Sequence, residues 1–478
     1  MLLVILLMLL AIAAPASGQA AAAAAQPSPQ IWRASVANLT RVESWSFFEP
    51  PETGGDPDYT FIANRLRIGL SGTWSRVQIS GAVQYVQFGG LPTAAIGPGF
   101  LGTGGLYYFH SNSTTSHGVY VPALNVRLSL PGGVTLLGGR FGYTSGAEAA
   151  SGQARIETIK RARADSRLVG DFEWSLYQRA FDGVRGDIDR KAWHASAAWL
   201  RPTQGGFEEA AGKSLGPVDI GAFTLTLRPR TMVPSTDVSV FGYTYSDRRF
   251  VTARPDNTGL STTRADVMVA TFGASAIGSA RTRGVDVDWL GWYAQQRGSW
   301  YDQRHRAWSL ALEGGVQWTS AWQPWLRGGY LFAAGDDDPR DDTHGTYFPM
   351  VPTVRRYAFT TIYAPMNLRD AFVEIIVRPA PRLRARADAR RLWLAQGGDR
   401  WYAGSGATQN SGSFFGYSGR SSGHTDFGHV VEGSVDVTVA RRWSINAFIG
   451  GMRGGRAVAT SFPGQWARFA YLESVVQF

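Results

Sequence analysis

The feature that most constrains this chain is alternation. Residues 124–130 read Leu, Asn, Val, Arg, Leu, Ser, Leu. In 74–86, Arg76, Gln78, Ser80 and Gln84 share one parity, and Val77, Ile79, Val83 and Tyr85 the other. In 431–439, Glu432, Ser434, Asp436 and Thr438 oppose Val431, Val435, Val437 and Val439. A strand sends successive side chains to opposite faces, so each segment builds one apolar and one polar face. Helical periodicity is rare along the chain. A water-soluble sandwich alternates in the same way, so one strand decides nothing.

Three further features favour a membrane barrel. Segments recur near the ten-residue length of a membrane-crossing strand. Aromatics cluster near segment ends, at Trp289 and Trp292, Trp300 and Tyr301, Trp318, Trp322 and Trp325, and Trp393 and Trp401. Amphipathic rings of this kind form girdles at bilayer interfaces. Connections also alternate between short and long. The short ones fall at Ser71-Gly72, Pro131-Gly132-Gly133, Gly186–Arg190, Pro379-Ala380-Pro381 and Ala440-Arg441-Arg442. The long ones fall near 89–117, 144–171, 203–217, 246–263, 333–368, 397–426 and 453–465. Tight periplasmic turns and long external loops give that rhythm.

Segments are expected to begin near 31, 61, 73, 118, 133, 172, 190, 218, 235, 264, 283, 303, 318, 369, 381, 426, 441 and 466. The expected fold is therefore all-β, a transmembrane antiparallel barrel of about eighteen strands over residues 31–478, with sixteen as the alternative count. The closing Tyr471–Phe478 stretch, with its terminal Phe, reads as an outer-membrane assembly signal. Barrels of this size enclose a water-filled lumen.

Composition agrees. There is no cysteine, which removes disulfide scaffolds, thiolate metal sites and thiol nucleophiles. A mean hydropathy of −0.14 is too low for a bundle of membrane helices. Residues 2–14 form one apolar run, and small residues follow at Ala16, Ser17, Gly18 and Ala20. Residues 1–20 read as a secretory signal; a retained anchor is the alternative. Residues 21–30 read as a flexible leader. No cofactor is expected.

The formal charge is +10, and only three of the 47 basic residues are lysine (Lys160, Lys191, Lys213). An arginine on the lipid face costs roughly 2–4 kcal/mol at the midplane, so alternation directs the arginines into the lumen. Arg382, Arg384, Arg386 and Arg390 share a parity with Asp388, opposite Leu383, Ala385, Ala387 and Ala389. Arg65 and Arg67 oppose Leu66, Ile68 and Leu70; Arg76 and Arg127 follow the same rule. Such a lumen attracts anions. The competing reading is that these arginines pair with Asp286, Asp288, Glu313, Glu374 and Asp436 to brace the wall.

The chain resembles the bacterial alginate export family of outer-membrane barrels. Four stretches carry the likeness: Asn64–Leu70; Leu137-Gly138-Gly139-Arg140-Phe141, where the family usually has Gln in place of Phe141; Arg167–Trp174 continuing to Gln178–Arg185; and Ala334–Pro339 with Thr346–Pro349 and Asn367–Asp370. The resemblance implies eighteen strands and an electropositive conduit for an acidic polysaccharide. It also implies a monomer, and an inner loop and a periplasmic turn that plug the channel. It points to Arg67, Arg140, Arg179 and Arg185 as conduit residues, with Asp171 and Asp182 as counter-charges.

An enzymatic reading fares badly. The histidines are scattered, and Gly419–Gly423 matches G-x-S-x-G only inside a Gly/Ser-rich loop. Asp336, Asp338 and Asp341 are a weak calcium candidate. Arginines that alternate along strands form no exposed basic helix, so nucleic acid is not an expected partner. The expected partners are outer-membrane lipid, an anionic polysaccharide or small anions, and a periplasmic export partner. Export of a uronic-acid polymer leads. An anion-selective porin and an adhesive barrel are the alternatives.

Overall fold

The computed structural model describes residues 31–478 except 53–54, 96–101, 208, 229–234, 252–253, 255, 258–263, 354–361 and 413–418. The expected signal and leader lie outside the described residues. The wall begins with β1 (Ile31–Ser46), β2 (Asp58–Trp74), β3 (Val77–Gly89), β4 (His117–Leu130), β5 (Val134–Phe141) and β6 (Phe181–Asp189). It continues with β7 (Trp193–Pro202), β8 (Val218–Leu227), β9 (Thr236–Asp247), β10 (Val267–Thr282), β11 (Val285–Trp300) and β12 (Gln303–Trp318). It ends with β13 (Trp325–Ala333), β14 (Leu368–Ala380), β15 (Leu383–Leu394), β16 (Asp426–Ala440), β17 (Trp443–Gly454) and β18 (Trp466–Gln477).

Each strand pairs antiparallel with its neighbour in the chain, and β1 pairs with β18 from Ala37↔Gln477 to Ser46↔Arg468. This closes an eighteen-stranded barrel. Closure matters because an unpaired strand edge in lipid would leave backbone N–H and C=O groups without partners. No helix among the described residues is long and apolar enough to cross a membrane.

The alternation fixes which face is wet. Ile68, Leu70, Val83, Leu124, Phe272, Leu312, Val373, Val431, Ile449 and Leu472 all point outward. Their neighbours of opposite parity, such as Arg41, Gln84, Asp288, Glu313, Arg327, Arg386 and Asp388, are buried in the interior. Trp32, Trp318, Trp322 and Trp443 are exposed at the end that carries the short turns and mark the periplasmic rim. Tyr293, Trp308 and Trp466 are exposed towards the other end. The expected aromatic pairs divide: Trp292, Trp300, Trp325 and Trp401 are buried and fill the interior instead of ringing the bilayer.

Several strand boundaries move; β13, expected to begin near 318, begins at Trp325. β2 runs through Ser71-Gly72 to a turn at Ser75-Arg76, and β6 runs through Gly186 to Asp189. Residues 172–180, expected to start a strand, belong to the connection that precedes β6. In the turn at Pro131–Gly133, Gly132 and Gly133 have φ of 73° and 67°. A Cβ on Gly133 would collide with the Asp189 carbonyl, so the turn requires glycine there.

Several long connections fold inward, and two of them meet. Residues 142–180 contain a helix, Ala154–Ile159, that continues as a wider turn through Ala164. Residues 334–353 meet them: Gly170 N donates to Val351 O at 2.9 Å, and Val351 N to Leu168 O at 3.1 Å. Leu168, Val169, Phe348, Met350 and Val351 are all buried at this junction. Apolar packing and backbone bonds thus anchor a loop assembly inside a polar wall.

Candidate functional site

The lumen follows directly from wall parity. Beneath the inner loops a cavity of about 590 Å³ opens among strands at both chain ends. Its lining includes Arg41, Arg65, Arg163, Arg384 and Arg386, and also Glu173, Glu374, Asp436 and Glu473. Ser444, Val475 and Gln477, near the periplasmic rim, place its mouth on that side.

Pairing decides which arginines are available. Arg41 Nη2 donates to Glu473 at 2.6 Å, and Arg41 stacks 3.4 Å from the Trp174 ring centroid. Arg386 Nε donates to Glu374 at 2.5 Å and Nη2 to Asp388 at 2.8 Å. Arg390 reaches Asp370 at 2.7 Å and Asp388 at 2.9 Å. These are bracing pairs, as the competing reading of the sequence proposed.

Arg65 and Arg67 behave differently. Arg67 donates to Gln84 at 2.7 Å and to Gln178, both neutral. Arg65 faces the cavity, and its buried Nη1 has no hydrogen-bond partner among the described residues. Arg384 meets Asp436 only at 3.8 Å, with both side chains substantially exposed. Arg65, Arg67 and Arg384 are therefore less neutralised than Arg41, Arg386 and Arg390.

A second network holds the inner loop. Glu313 on β12 accepts from Arg163 Nε and Nη2 at 2.8 and 2.9 Å, from Arg167 at 3.1 Å and from Arg327 at 3.3 Å. Asp288 on β11 accepts from Arg155 at 2.7 Å and also from Arg327. Wall carboxylates thus grip loop arginines. Burial drives the Arg179 guanidinium down to about 10; its Nη1 reaches only carbonyls, Gly170 O at 3.4 Å and Val351 O at 3.3 Å.

The expected site residues separate accordingly. Arg65, Arg67, Arg185, Arg384, Arg386, Arg390 and Asp388 lie on inner faces. Arg185 is tied to Asp187 at 2.7 Å and to Glu148 O of the inner loop at 3.1 Å. Arg127 shares the inner parity and is solvent-exposed. Arg76 and Arg382 leave the wall, because both sit in exposed periplasmic turns where strand parity ends.

Arg179 belongs to the inner connection, not to a strand, and Asp171 lies in the same segment, its backbone carbonyl accepting the Arg179 backbone N–H at 2.7 Å. Arg140 and Asp182 are corrected outright. Arg140 pairs in register with the outward Leu124, so it takes the outer parity. There it bonds Asp182 at 2.7 Å, and Arg201 bonds Asp219 alongside at 2.9 Å. This is a charge ladder on the outside of the wall. The calcium candidate also dissolves: Asp338 and Asp341 cap the backbone N–H groups of Arg340 and Thr343, and no acidic or histidine cluster suited to a metal exists among the described residues.

Arg41 and Arg163 are lumen residues that the sequence reading did not single out. Arg41 alternates with Thr40 and Val42, a signal that was present. Arg163 lies in a helical segment where a two-residue period carries no information.

A closed barrel with an apolar outside, a charged inside and loops packed into the lumen defines an outer-membrane channel. The alginate export family matches residues 143–462, and the chain belongs to that family. Solved structures share the fold. A BenF-like porin from Pseudomonas fluorescens superposes with a TM-score of 0.57 at 9% identity, over 94% of this chain and 98% of that one. OccK9 (OpdG) of Pseudomonas aeruginosa gives 0.56 at 12% identity, over 93% and 98%. OccAB4 of Acinetobacter baumannii gives 0.56 at 9%, over 95% and 99%. No curated protein matches the sequence. The protein is a channel of the Gram-negative outer membrane.

Proposed function

We propose that this channel exports an anionic, uronic-acid-type polysaccharide by passive passage, and that the periplasmic cavity receives the polymer. The observation that carries the reading is Arg65, a lumen guanidinium facing that cavity with a buried nitrogen unsatisfied. Arg67 beside it has only neutral partners, and Arg384 is loosely paired. A guanidinium binds a carboxylate bidentately. Arg65 and Arg384, on different strands around one cavity, with Arg67 beside Arg65, let a polymer hand successive carboxylates from one to the next. Weak, multiple sites suit conduction, since tight binding at one site would stop it. Membership of the alginate export family supports the same class of cargo.

The test is current block in a planar bilayer. Polyuronate oligomers added on the periplasmic side should block the ionic current of the wild type in a concentration-dependent way. Arg65→Glu with Arg384→Glu should weaken that block roughly tenfold or more, the cost of losing and then reversing charge-assisted bonds. Equal block in the variant, or none in the wild type, would reject the polymer reading and leave a small-anion porin.

A further inference from the structure

On the outer face of the wall, above the aromatic level, lies a second charged site that the conduit does not use. Arg297 on β11 and Arg306 on β12 stand directly opposite each other in register. Both are exposed, and both take the outer parity, since Gln296, His305 and Ala307 beside them are buried. Like charges directly opposite on one sheet face repel. Neither arginine has a carboxylate partner among the described residues; Asp342 is engaged by Arg304 at 2.8 Å. A third arginine, Arg369 on β14, joins them in lining one cleft of about 500 Å³.

The floor of this cleft is aromatic. Tyr293 and Trp308 approach with centroids 6.4 Å apart, and Trp308 and Phe332 at 4.3 Å. Arg369 lies 5.8 Å from the Phe332 ring centroid. The cleft exists because β13 stops at Ala333, opposite Ser309, while β12 continues to Gln303. Residues 343–344 rejoin β12 only at Arg304–His305. One carboxylate, Asp337, also lines it, so the arginines retain an excess of positive charge.

Height along the wall selects the occupant. Arg306 is two residues above Trp308, a rise of about 7 Å at strand spacing. Interfacial rings sit at headgroup depth, so guanidinium groups one step beyond them stand where lipid phosphates lie. An aromatic floor suits the sugar or acyl base of a headgroup, and the arginine pair suits a phosphate between them.

We propose that this cleft is a binding site for a lipid with a phosphomonoester headgroup in the outer leaflet, the class to which lipid A belongs. The phosphate bridges Arg297 and Arg306 and turns their repulsion into a shared bond. Arg369 reaches the same headgroup from β14. The site anchors the channel in its leaflet and is independent of what the lumen carries.

The test uses native mass spectrometry and thermal melting of the delipidated full-length barrel. Three probes are added: bisphosphorylated lipid A, its dephosphorylated counterpart and inorganic phosphate. The wild type should retain the phosphorylated lipid and melt higher with it, with little response to the other two. Arg297→Gln with Arg306→Gln should bind that lipid roughly tenfold more weakly and lose the thermal shift. Without lipid, the same variant should melt no lower than the wild type, because the repulsion is gone. Arg369→Gln alone should lose part of the affinity, which keeps the test open if the double variant assembles poorly. Arg281→Gln, at the periplasmic end of β10, should bind as the wild type does. Equal binding by the variants, equal retention of the dephosphorylated lipid, or inorganic phosphate bound as tightly as the lipid would each overturn the proposal.

Discussion

Replacing Glu313 by Gln should release the inner loop. Glu313 is buried on β12 and accepts four hydrogen bonds, two from Arg163 and one each from Arg167 and Arg327, at 2.8 to 3.3 Å. Glutamine keeps the volume but removes the charge, and its amide turns a donor towards guanidinium groups that can only donate. Removing one partner of a buried ion pair costs about 3–5 kcal/mol, because the other charge is left buried and uncompensated. Here the loop side can escape, since Arg163 and Arg167 lie on the inserted connection and not on the wall. The penalty should therefore fall on loop docking and shift its equilibrium roughly 10²- to 10⁴-fold towards the undocked state. Single-channel recording should show larger, noisier openings than the wild type. Trypsin should cut faster near Arg161 and Arg163, while the folded barrel keeps its heat-modifiable gel mobility. Unchanged conductance together with unchanged cleavage would refute the idea that this carboxylate pins the loop.

Two further outcomes follow from wall parity and burial. Val431→Arg places a charge on the lipid face and should lower folding stability in liposomes by roughly 2–4 kcal/mol if it lies near the midplane; Ser434→Arg, on the inner parity of the same strand, should cost far less. Burial, with Asp399 close by, pushes the Asp336 carboxyl up to about 7. A group raised in the folded state stabilises fully below its unfolded value, about 3.9, and that contribution is lost as pH rises through 7. Hydrogen-exchange protection factors around residues 335–347 should therefore fall between pH 4 and 7, and Asp336→Asn should flatten that dependence.

Much of the wall was legible because a two-residue period is read directly from the sequence. The expected starts at 31, 118, 133, 218, 235, 303, 369, 426 and 466 fall within a residue of the observed strands. The failures have physical causes. Leu136–Phe141 contains adjacent glycines, so no polar–apolar contrast told Arg140 which way to face. Arg76 and Arg382 carry the right parity but stand one step past the strand, where a turn cancels it. Residues 172–180 resemble a strand in composition, yet Trp174, Tyr177 and Arg179 fold into the lumen, driven by long-range contacts that no local pattern encodes. The same holds for Trp300 and Trp401, whose rings fill the interior. Arg386–Glu374 bridges the two strands of one hairpin, whereas Arg163–Glu313 joins a loop to a distant strand; parity alone does not show which inward arginines are neutralised in these ways and which, like Arg65, are not.

The reversal potential of the purified wild-type channel across a planar bilayer under a KCl gradient is the most direct measurement. Guanidinium groups around a water column should favour chloride and place the potential on the chloride side. A potential on the potassium side, or a folded barrel that conducts nothing even after the Glu313 contact is removed, would contradict an arginine-lined aqueous lumen.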